Sequence, residues 1–327
     1  MGLRTIREGP ATPMRAVFHY ACSETLSARL ETLVPPWLEI RTCPEGDDAL
    51  LHRLLGDADV LLHVLKPVTA EVMDAAPVLQ LIQKIGVGVN TIDLELARRR
   101  GIAVCNMPGT NSRAVAEATL MLMLMTLRRA RDLDAATRAG EGWRLDPALF
   151  DRVGEIGGRT VGLVGYGAVP RILAPVLSGL GARVLYTATT PKSDAAAEWR
   201  DLDALLAESD IVSLHLPLSD ATEGLVDAAA LAHMKPGAIL INTARGGLVD
   251  QEALTDALRG GRLLAAGLDV FAREPTPADT PLLALDNVVV QPHVAWLTQE
   301  TLGRSLAVAM ENCRRLRDRE DLLHRVP

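Results

Sequence analysis

The chain has 327 residues, 48% of them hydrophobic and 23% charged, with a formal net charge of -7 at pH 7. That length holds two domains, each with its own core, and the excess of acid excludes a surface that works by neutralising the phosphates of nucleic acid or of an anionic membrane. The longest apolar run, residues 118–126, is about half of what a bilayer-spanning helix needs.

Residues 1–13 carry charges and prolines without an apolar core, which reads as a flexible tail and not as a signal peptide. Strand patterns follow at 15–20, 38–41, 60–65, 79–85 and 102–105, with helical patterns between them at 24–33, 47–55, 70–76 and 93–100. Such alternation predicts a parallel sheet covered on both faces. Asn106-Met107-Pro108-Gly109 interrupts it, and a helix is predicted from Ser112 to about Gly140. Its run Leu120-Met121-Leu122-Met123-Leu124-Met125 is apolar on every side, so it is expected to be buried all round, against another domain or a second subunit.

The segment 160–170 is the centre of the chain. A β-branched strand over Thr160-Val161-Gly162-Leu163-Val164 breaks at Gly165, Gly167 follows, then a helix over 171–180 and a strand over 182–186. This is the frame of a dinucleotide-binding βαβ unit. Gly165 allows the tight turn, and Gly167, with Ala168 and Val169 between it and the helix, lets backbone approach a pyrophosphate at the positive helix end. The pattern then continues with helices at 203–208, 227–233 and 251–260, strands at 211–214, 239–242, 265–268 and 288–291, and a final helix from about Thr298 to the chain end. The glycine turn therefore sits mid-chain, and the last helix is expected to return to the first domain.

Cys22, Cys43, Cys105 and Cys313 are scattered without a CxxC pair, which suits reduced thiols in a cytoplasmic protein and neither a disulfide frame nor a metal site. The runs Arg98-Arg99-Arg100, Arg128-Arg129 and Arg314-Arg315 adjoin helical pattern and read as solvated faces, so no nucleic-acid or membrane partner is expected.

Arg245, Glu274 and His293 each follow a predicted strand, and so fall on the carboxyl rim of the sheet, where open α/β sheets bind ligands. An arginine there can hold a carboxylate by two parallel hydrogen bonds. A histidine can move a proton near neutral pH, and a carboxylate behind it can fix its tautomer. These three are the catalytic candidates.

At this point the chain resembles the D-isomer-specific 2-hydroxyacid dehydrogenase family, from Met14 onward. The likeness rests on Val164-Gly165-Tyr166-Gly167, Ile241-Asn242-Thr243-Ala244-Arg245-Gly246, Gly267-Leu268-Asp269-Val270-Phe271 with Glu274-Pro275, and Gln291-Pro292-His293. The resemblance implies two Rossmann-like, doubly wound parallel-sheet α/β domains with an interdomain cleft. It makes 14–111 with 298–327 a flavodoxin-like substrate-binding domain and 112–297 the dinucleotide-binding one. It implies that Arg245 binds the substrate's carboxylate and carbonyl oxygens, that His293 is the acid/base and that Glu274 supports it. It also implies that Asp269 contacts the nicotinamide carboxamide, that Thr243 and Ala244 line the nicotinamide site, and that His215, Pro217 and Thr222 lie along the adenosine half. In the first domain the backbone at Val87 and Gly88 is implied to bind substrate carboxylate. Trp296 is read as a wall of the substrate pocket, with core packing as the alternative. The family and the apolar helix together point to a homodimer.

Two departures bear on the cofactor. Pro170 stands where a third glycine is usual, and Pro175, one turn further, is expected to bend the helix. NAD enzymes place an acid at the end of the second strand to bind the ribose 2′-hydroxyl, but Ala188 falls there, in Thr187-Ala188-Thr189-Thr190-Pro191-Lys192. Hydroxyls and Lys192 suit a 2′-phosphate instead, so NADP is favoured over NAD. The activity expected is hydride transfer to or from a small 2-oxo or 2-hydroxy acid, glyoxylate and hydroxypyruvate leading. The alternatives are phosphite-type oxidation on the same fold and a non-enzymatic, corepressor-like nucleotide sensor.

Overall fold

The computed structural model describes residues 13–144 and 146–327. They divide into two compact units, one taking the residues up to Asn111 together with Thr298–Pro327, the other Ser112–Leu297. The tail expected over 1–13 lies, except for Pro13, outside the described residues.

The first unit alternates β1 (Met14–His19), α1 (Glu24–Leu33), β2 (Leu38–Cys43), α2 (Asp48–Leu55), β3 (Val60–His63), α3 (Ala70–Asp74), β4 (Leu81–Lys84), α4 (Leu94–Arg99) and β5 (Ala103–Cys105). All pairings are parallel, in the order β2-β1-β3-β4-β5, which is the flavodoxin-like order. Helix starts follow local chemistry, since Ser23, Asp47 and Asp93 each accept a hydrogen bond from the amide three residues on.

His63, at the end of β3, is fully buried, and its Nε2 lies 2.7 Å from the Lys66 carbonyl. Burial first, and then the charge of Lys84, push it down to about 3. A histidine lowered in this way stays neutral in the fold while the unfolded chain takes up a proton, so stability falls as pH drops from about 6.5 towards 3. In His63→Gln the slope of unfolding free energy against pH, from urea titrations between about pH 4 and 6, should be shallower than wild type by about 1.4 kcal/mol per pH unit. Parallel slopes would contradict the assignment.

The second unit opens with α5 (Ser112–Arg128) and α6 (Ala130–Arg138). A single helix to about Gly140 was the expectation. It breaks at Arg129, whose φ is 47°. That left-handed residue turns its guanidinium onto Asp132 at 2.9 and 2.5 Å, bracing the first turn of α6. Within α5, Leu122 and Met123 are fully buried, whereas Met121 and Leu124 are 36% and 40% exposed. Within one chain the apolar run is therefore buried on one side and bare on the other, so the chain itself covers only half of the face expected to be buried.

Next come β6 (Thr160–Val164), α7 (Ala168–Gly179), β7 (Arg183–Thr187), β8 (Glu198–Trp199), α8 (Leu202–Glu208), β9 (Ile211–Leu214), α9 (Ala228–His233), β10 (Ala238–Asn242), α10 (Gln251–Arg259), β11 (Leu263–Leu268) and β12 (Val288–Val290). The sheet is parallel and ordered β12-β11-β10-β9-β6-β7-β8. In it, β6 pairs on one side with β7 and on the other with β9, so the order reverses there. This is the Rossmann arrangement with its switch point at the carboxyl end of β6.

The final helix, α11 (Gln299–Asp318), belongs to the first unit. Asn312 fastens it there, its Nδ2 donating to Gln83 Oε1 at 2.6 Å and its Oδ1 accepting from Leu323 N at 2.8 Å. The helix stops short of the chain end, because Arg319 turns left-handed at φ 58°. The remaining segment runs beside β5, where Val326 N donates to Val104 O at 2.8 Å. The four cysteines are free thiols, and burial pushes Cys105 up to about 11 and Cys313 up to about 12. Among the described residues no helix is long and apolar enough to cross a membrane.

Candidate active site

The turn after β6 stands at the switch point of its sheet. Gly165 has φ +100°, and a Cβ there would come within 2.8 Å of the His215 carbonyl oxygen, so both conformation and space require glycine. Gly167 begins α7 without a side-chain cap, and nothing lies within 4 Å of where its Cβ would be. The helix end is thus open, with its amides unpaired until Arg171 N bonds back to Gly167 O at 3.2 Å. Pro170 supplies no amide, which leaves Ala168 and Val169 as the helix's leading donors. An uncapped helix N-terminus with open space above it fits a diphosphate. The helix also runs through Pro175 to Gly179, at the cost of a donor for the Arg171 carbonyl.

Beyond β7, the loop with Ala188, Thr189, Thr190 and Lys192 is tied down by two tyrosines. The Tyr186 hydroxyl accepts from Lys192 N at 2.6 Å, and the Tyr166 hydroxyl accepts from Ala196 N at 2.9 Å. Trp199 Nε1 donates to Ala188 O at 3.3 Å, and Lys192 Nζ donates to Thr190 Oγ1 at 3.3 Å. Thr187 ends β7, and Thr189 and Thr190 are exposed.

After β9, His215 Nε2 lies 3.0 Å from Ser213 Oγ, and loss of solvent pushes the ring down to about 3, so it is neutral at physiological pH. Pro217 and Thr222 belong to one closed turn, the Thr222 hydroxyl donating to Pro217 O at 2.7 Å and accepting from Ser219 N at 2.9 Å.

Arg245, Glu274 and His293 follow β10, β11 and β12, which are consecutive neighbours in the sheet. His293 Nδ1 lies 2.6 Å from Glu274 Oε2, and Glu274 Oε1 accepts from Phe271 N at 2.9 Å. Burial acts to raise the Glu274 carboxyl. The hydrogen bond and charge of His293, the Phe271 amide and Arg245 outweigh it and hold the group below its usual range. An ionised carboxylate on Nδ1 fixes the proton there and leaves Nε2 for exchange.

The backbone of His293 is held just as firmly. Its φ is 57°, and its amide donates to Asp269 O at 2.7 Å. The Asp269 carboxylate accepts from Val294 N at 2.8 Å and Ala295 N at 3.0 Å, and the Trp296 indole donates to His293 O at 3.1 Å. Asp269, expected at the carboxamide, is 1% exposed with both oxygens turned to this loop, and burial raises its carboxyl against the pull of the two amides. Trp296 itself is 8% exposed.

The Arg245 turn is built by Asn242, whose Oδ1 accepts from Ala244 N at 3.0 Å and whose Nδ2 donates to Arg245 O at 2.9 Å. Arg245 Nη1 donates to Ala244 O at 2.6 Å. Burial lowers the guanidinium's pKa, and the nearby Glu274 carboxylate offsets only part of that. Thr243 is 8% exposed, with its hydroxyl 2.8 Å from that of Thr119, which spends its own proton on Val115 O at 2.7 Å. Gly246 brings the Arg245 and Glu274 loops together, since a Cβ on it would lie 1.9 Å from the carbonyl carbon and oxygen of Phe271. Gln251 Oε1 adds a bond from Ala272 N at 3.2 Å.

Val87 and Gly88 stand in the other unit, in the turn after β4. Val87 is 42% exposed, and its carbonyl accepts from Asn106 Nδ2 at 2.9 Å. Sequence reasoning missed the bracing by Asn242, Gly246 and Gln251. Asparagine directly after a strand, followed by glycine, was the available signal.

A family profile described as D-isomer specific 2-hydroxyacid dehydrogenase, NAD binding domain, matches residues 120–295. A glyoxylate reductase of Korarchaeum cryptofilum is 40% identical over 275 residues, 82% of each chain. A D-3-phosphoglycerate dehydrogenase of Mycobacterium leprae is also 40% identical, over 85% of this chain, but the match spans only 52% of that longer protein. Among solved structures, the NADPH-dependent glyoxylate/hydroxypyruvate reductase of Sinorhizobium meliloti, in complex with NADP and malonate, superposes with a TM-score of 0.82 at 28% identity, covering 96% of this chain and 97% of that one. The chain belongs to the D-isomer specific 2-hydroxyacid dehydrogenase family. It is an NAD(P)-dependent oxidoreductase of that class.

Proposed function

We propose that the chain interconverts a small 2-oxo acid and its 2-hydroxy acid, with glyoxylate and hydroxypyruvate as leading substrates and NADP favoured over NAD. The observation that carries this is the 2.6 Å contact between His293 Nδ1 and Glu274 Oε2, on the rim that also holds Arg245. A bound nicotinamide cofactor would supply or accept the hydride. In the reducing direction, Arg245 holds the substrate carboxylate and polarises the carbonyl oxygen. His293 delivers the proton from Nε2, and Glu274 stabilises and orients the imidazolium. The amides of Ala168 and Val169 would hold the diphosphate. Thr187, Ala188, Thr189, Thr190 and Lys192 would surround the adenosine ribose, with His215, Pro217 and Thr222 along the adenosine half. Thr243 and Ala244 would line the nicotinamide, and Asp269 adds the fixing of the His293 loop to its expected place at the carboxamide. Residues 14–111 and 298–327 would form the substrate-binding domain, with Val87 and Gly88 donating to the substrate carboxylate.

The substrate choice draws on the names of the Korarchaeum cryptofilum and Sinorhizobium meliloti proteins. The cofactor choice draws on the missing acid at Ala188 and on the Lys192 contact to Thr190. The bare Met121 and Leu124 of α5 support a homodimer, and four free thiols suit a cytoplasmic protein. A panel of glyoxylate, hydroxypyruvate, pyruvate and phosphite, each assayed with NADPH and with NADH in their reduced or oxidised forms, tests the reading. The expected result is highest kcat/KM for glyoxylate or hydroxypyruvate with NADPH. Turnover of phosphite alone, or a clear advantage for NADH, would overturn the substrate or cofactor assignment respectively.

A further inference from the structure

Resting on that reading, we propose that Asp194 sets the coenzyme preference by holding Arg171, which exchanges it for the 2′-phosphate of NADPH. Arg171 is the fourth residue of α7, at the same open helix end as Gly167. Its two terminal nitrogens donate to the two Asp194 oxygens at 2.6 and 3.1 Å, and its guanidinium lies 5.3 Å from the centroid of the Tyr166 ring. Asp194 comes from the loop that follows β7, two residues past Lys192, and that loop is fastened by the Tyr186 and Tyr166 hydroxyls on either side of Asp194. The arginine, the lysine and the threonines are thus gathered around the end of the strand where the adenosine ribose is placed by the proposed function.

The charges make the pair a selector. The side chains of Arg171 and Asp194 are 40% and 67% exposed, so their mutual attraction is screened and weak. A phosphate dianion offers the same planar fork two or more charge-assisted acceptors, and it displaces a carboxylate that water already serves well. The 2′-hydroxyl of NADH carries no charge and leaves the pair intact. Asp194 therefore works against NADPH by occupying Arg171, its own exposed charge being screened by solvent, and has little effect on NADH.

The test is coenzyme binding without substrate, by isothermal titration of NADPH and NADH against the full chain. Asp194→Asn should tighten NADPH by about fivefold and move NADH by less than about twofold. Arg171→Met should weaken NADPH by about fivefold or more, and on that background Asp194→Asn should give less than about twofold. That loss of effect separates action through Arg171 from simple repulsion. Equal changes for both coenzymes, or a full Asp194→Asn effect without Arg171, would overturn the proposal. A wild type that prefers NADH, but shifts towards NADPH in Asp194→Asn, would support this proposal while overturning the NADP assignment. Binding of neither coenzyme would overturn both.

Discussion

Replacing His293 by alanine should lower kcat by at least about a hundredfold, the scale of a positioned general acid or base. The expectation follows from how the ring is held. Glu274 carries one nitrogen at 2.6 Å, and its carboxyl, kept below the ordinary range, remains ionised throughout the neutral region where the reaction is measured. The second nitrogen is the one free to exchange a proton with a substrate oxygen. Glu274→Gln keeps a hydrogen-bonding group of the same length but removes the charge that stabilises the imidazolium, so its loss should be smaller and confined mostly to kcat. Alanine at 293 must adopt φ 57°, which costs about 1 kcal/mol and could blur the result. Asparagine tolerates that conformation, so His293→Asn should lose turnover to a similar extent with its melting temperature intact. Near wild-type turnover in His293→Asn would remove the residue from the reaction.

Much of this fold is legible in the chain because local chemistry and tertiary structure agree. The helix predicted at 24–33 is observed as Glu24–Leu33, between an N-capping Ser23 and the prolines at 35 and 36. The shared rim of Arg245, Glu274 and His293 is readable for a similar reason, since each follows a strand by a few residues and parallel strands end on one side. What was not legible depends on contacts between distant residues. The break at Arg129 has no glycine or proline to announce it, and it stands on a left-handed arginine paired with Asp132. The segment after Asp318 looks helical until Arg319 turns and the chain settles beside β5. The strand at Glu198–Trp199 is two residues long, too short to show a period. In the site, the bonds from Asp269 to Val294 and Ala295 span 25 and 26 residues, and no spacing rule foretells that a buried acid grips a loop so far along.

Gly246→Ala tests whether that loop architecture sets the chemistry. The added carbon would lie 1.9 Å from the Phe271 carbonyl carbon and oxygen and 2.5 Å from Ala272 N, all backbone atoms with no side chain to rotate away. One of the two loops must move. Because Phe271 N donates to Glu274 and Glu274 holds His293, a shift of the Phe271 loop is passed to His293, the proposed proton donor, through two hydrogen bonds. The Arg245 turn, directly before Gly246, moves if the other loop yields. Overpacking of this kind costs about 1–3 kcal/mol, and in a domain this size each kcal/mol lowers the melting temperature by about 2–4 °C. A displacement of about 1 Å in a catalytic group can cost about a hundredfold in rate, so kcat should fall on that order while the protein still folds. The neighbouring glycine supplies the control. A Cβ on Gly247 meets the methyl end of Leu218 at 3.0 Å, a flexible tip that can turn aside, so Gly247→Ala should keep most of its turnover. Equal behaviour of the two variants would mean that the approach of the Arg245 and Glu274 loops is incidental. A large loss in Gly246→Ala alone would make the backbone contact with Phe271 the joint that aligns arginine, glutamate and histidine.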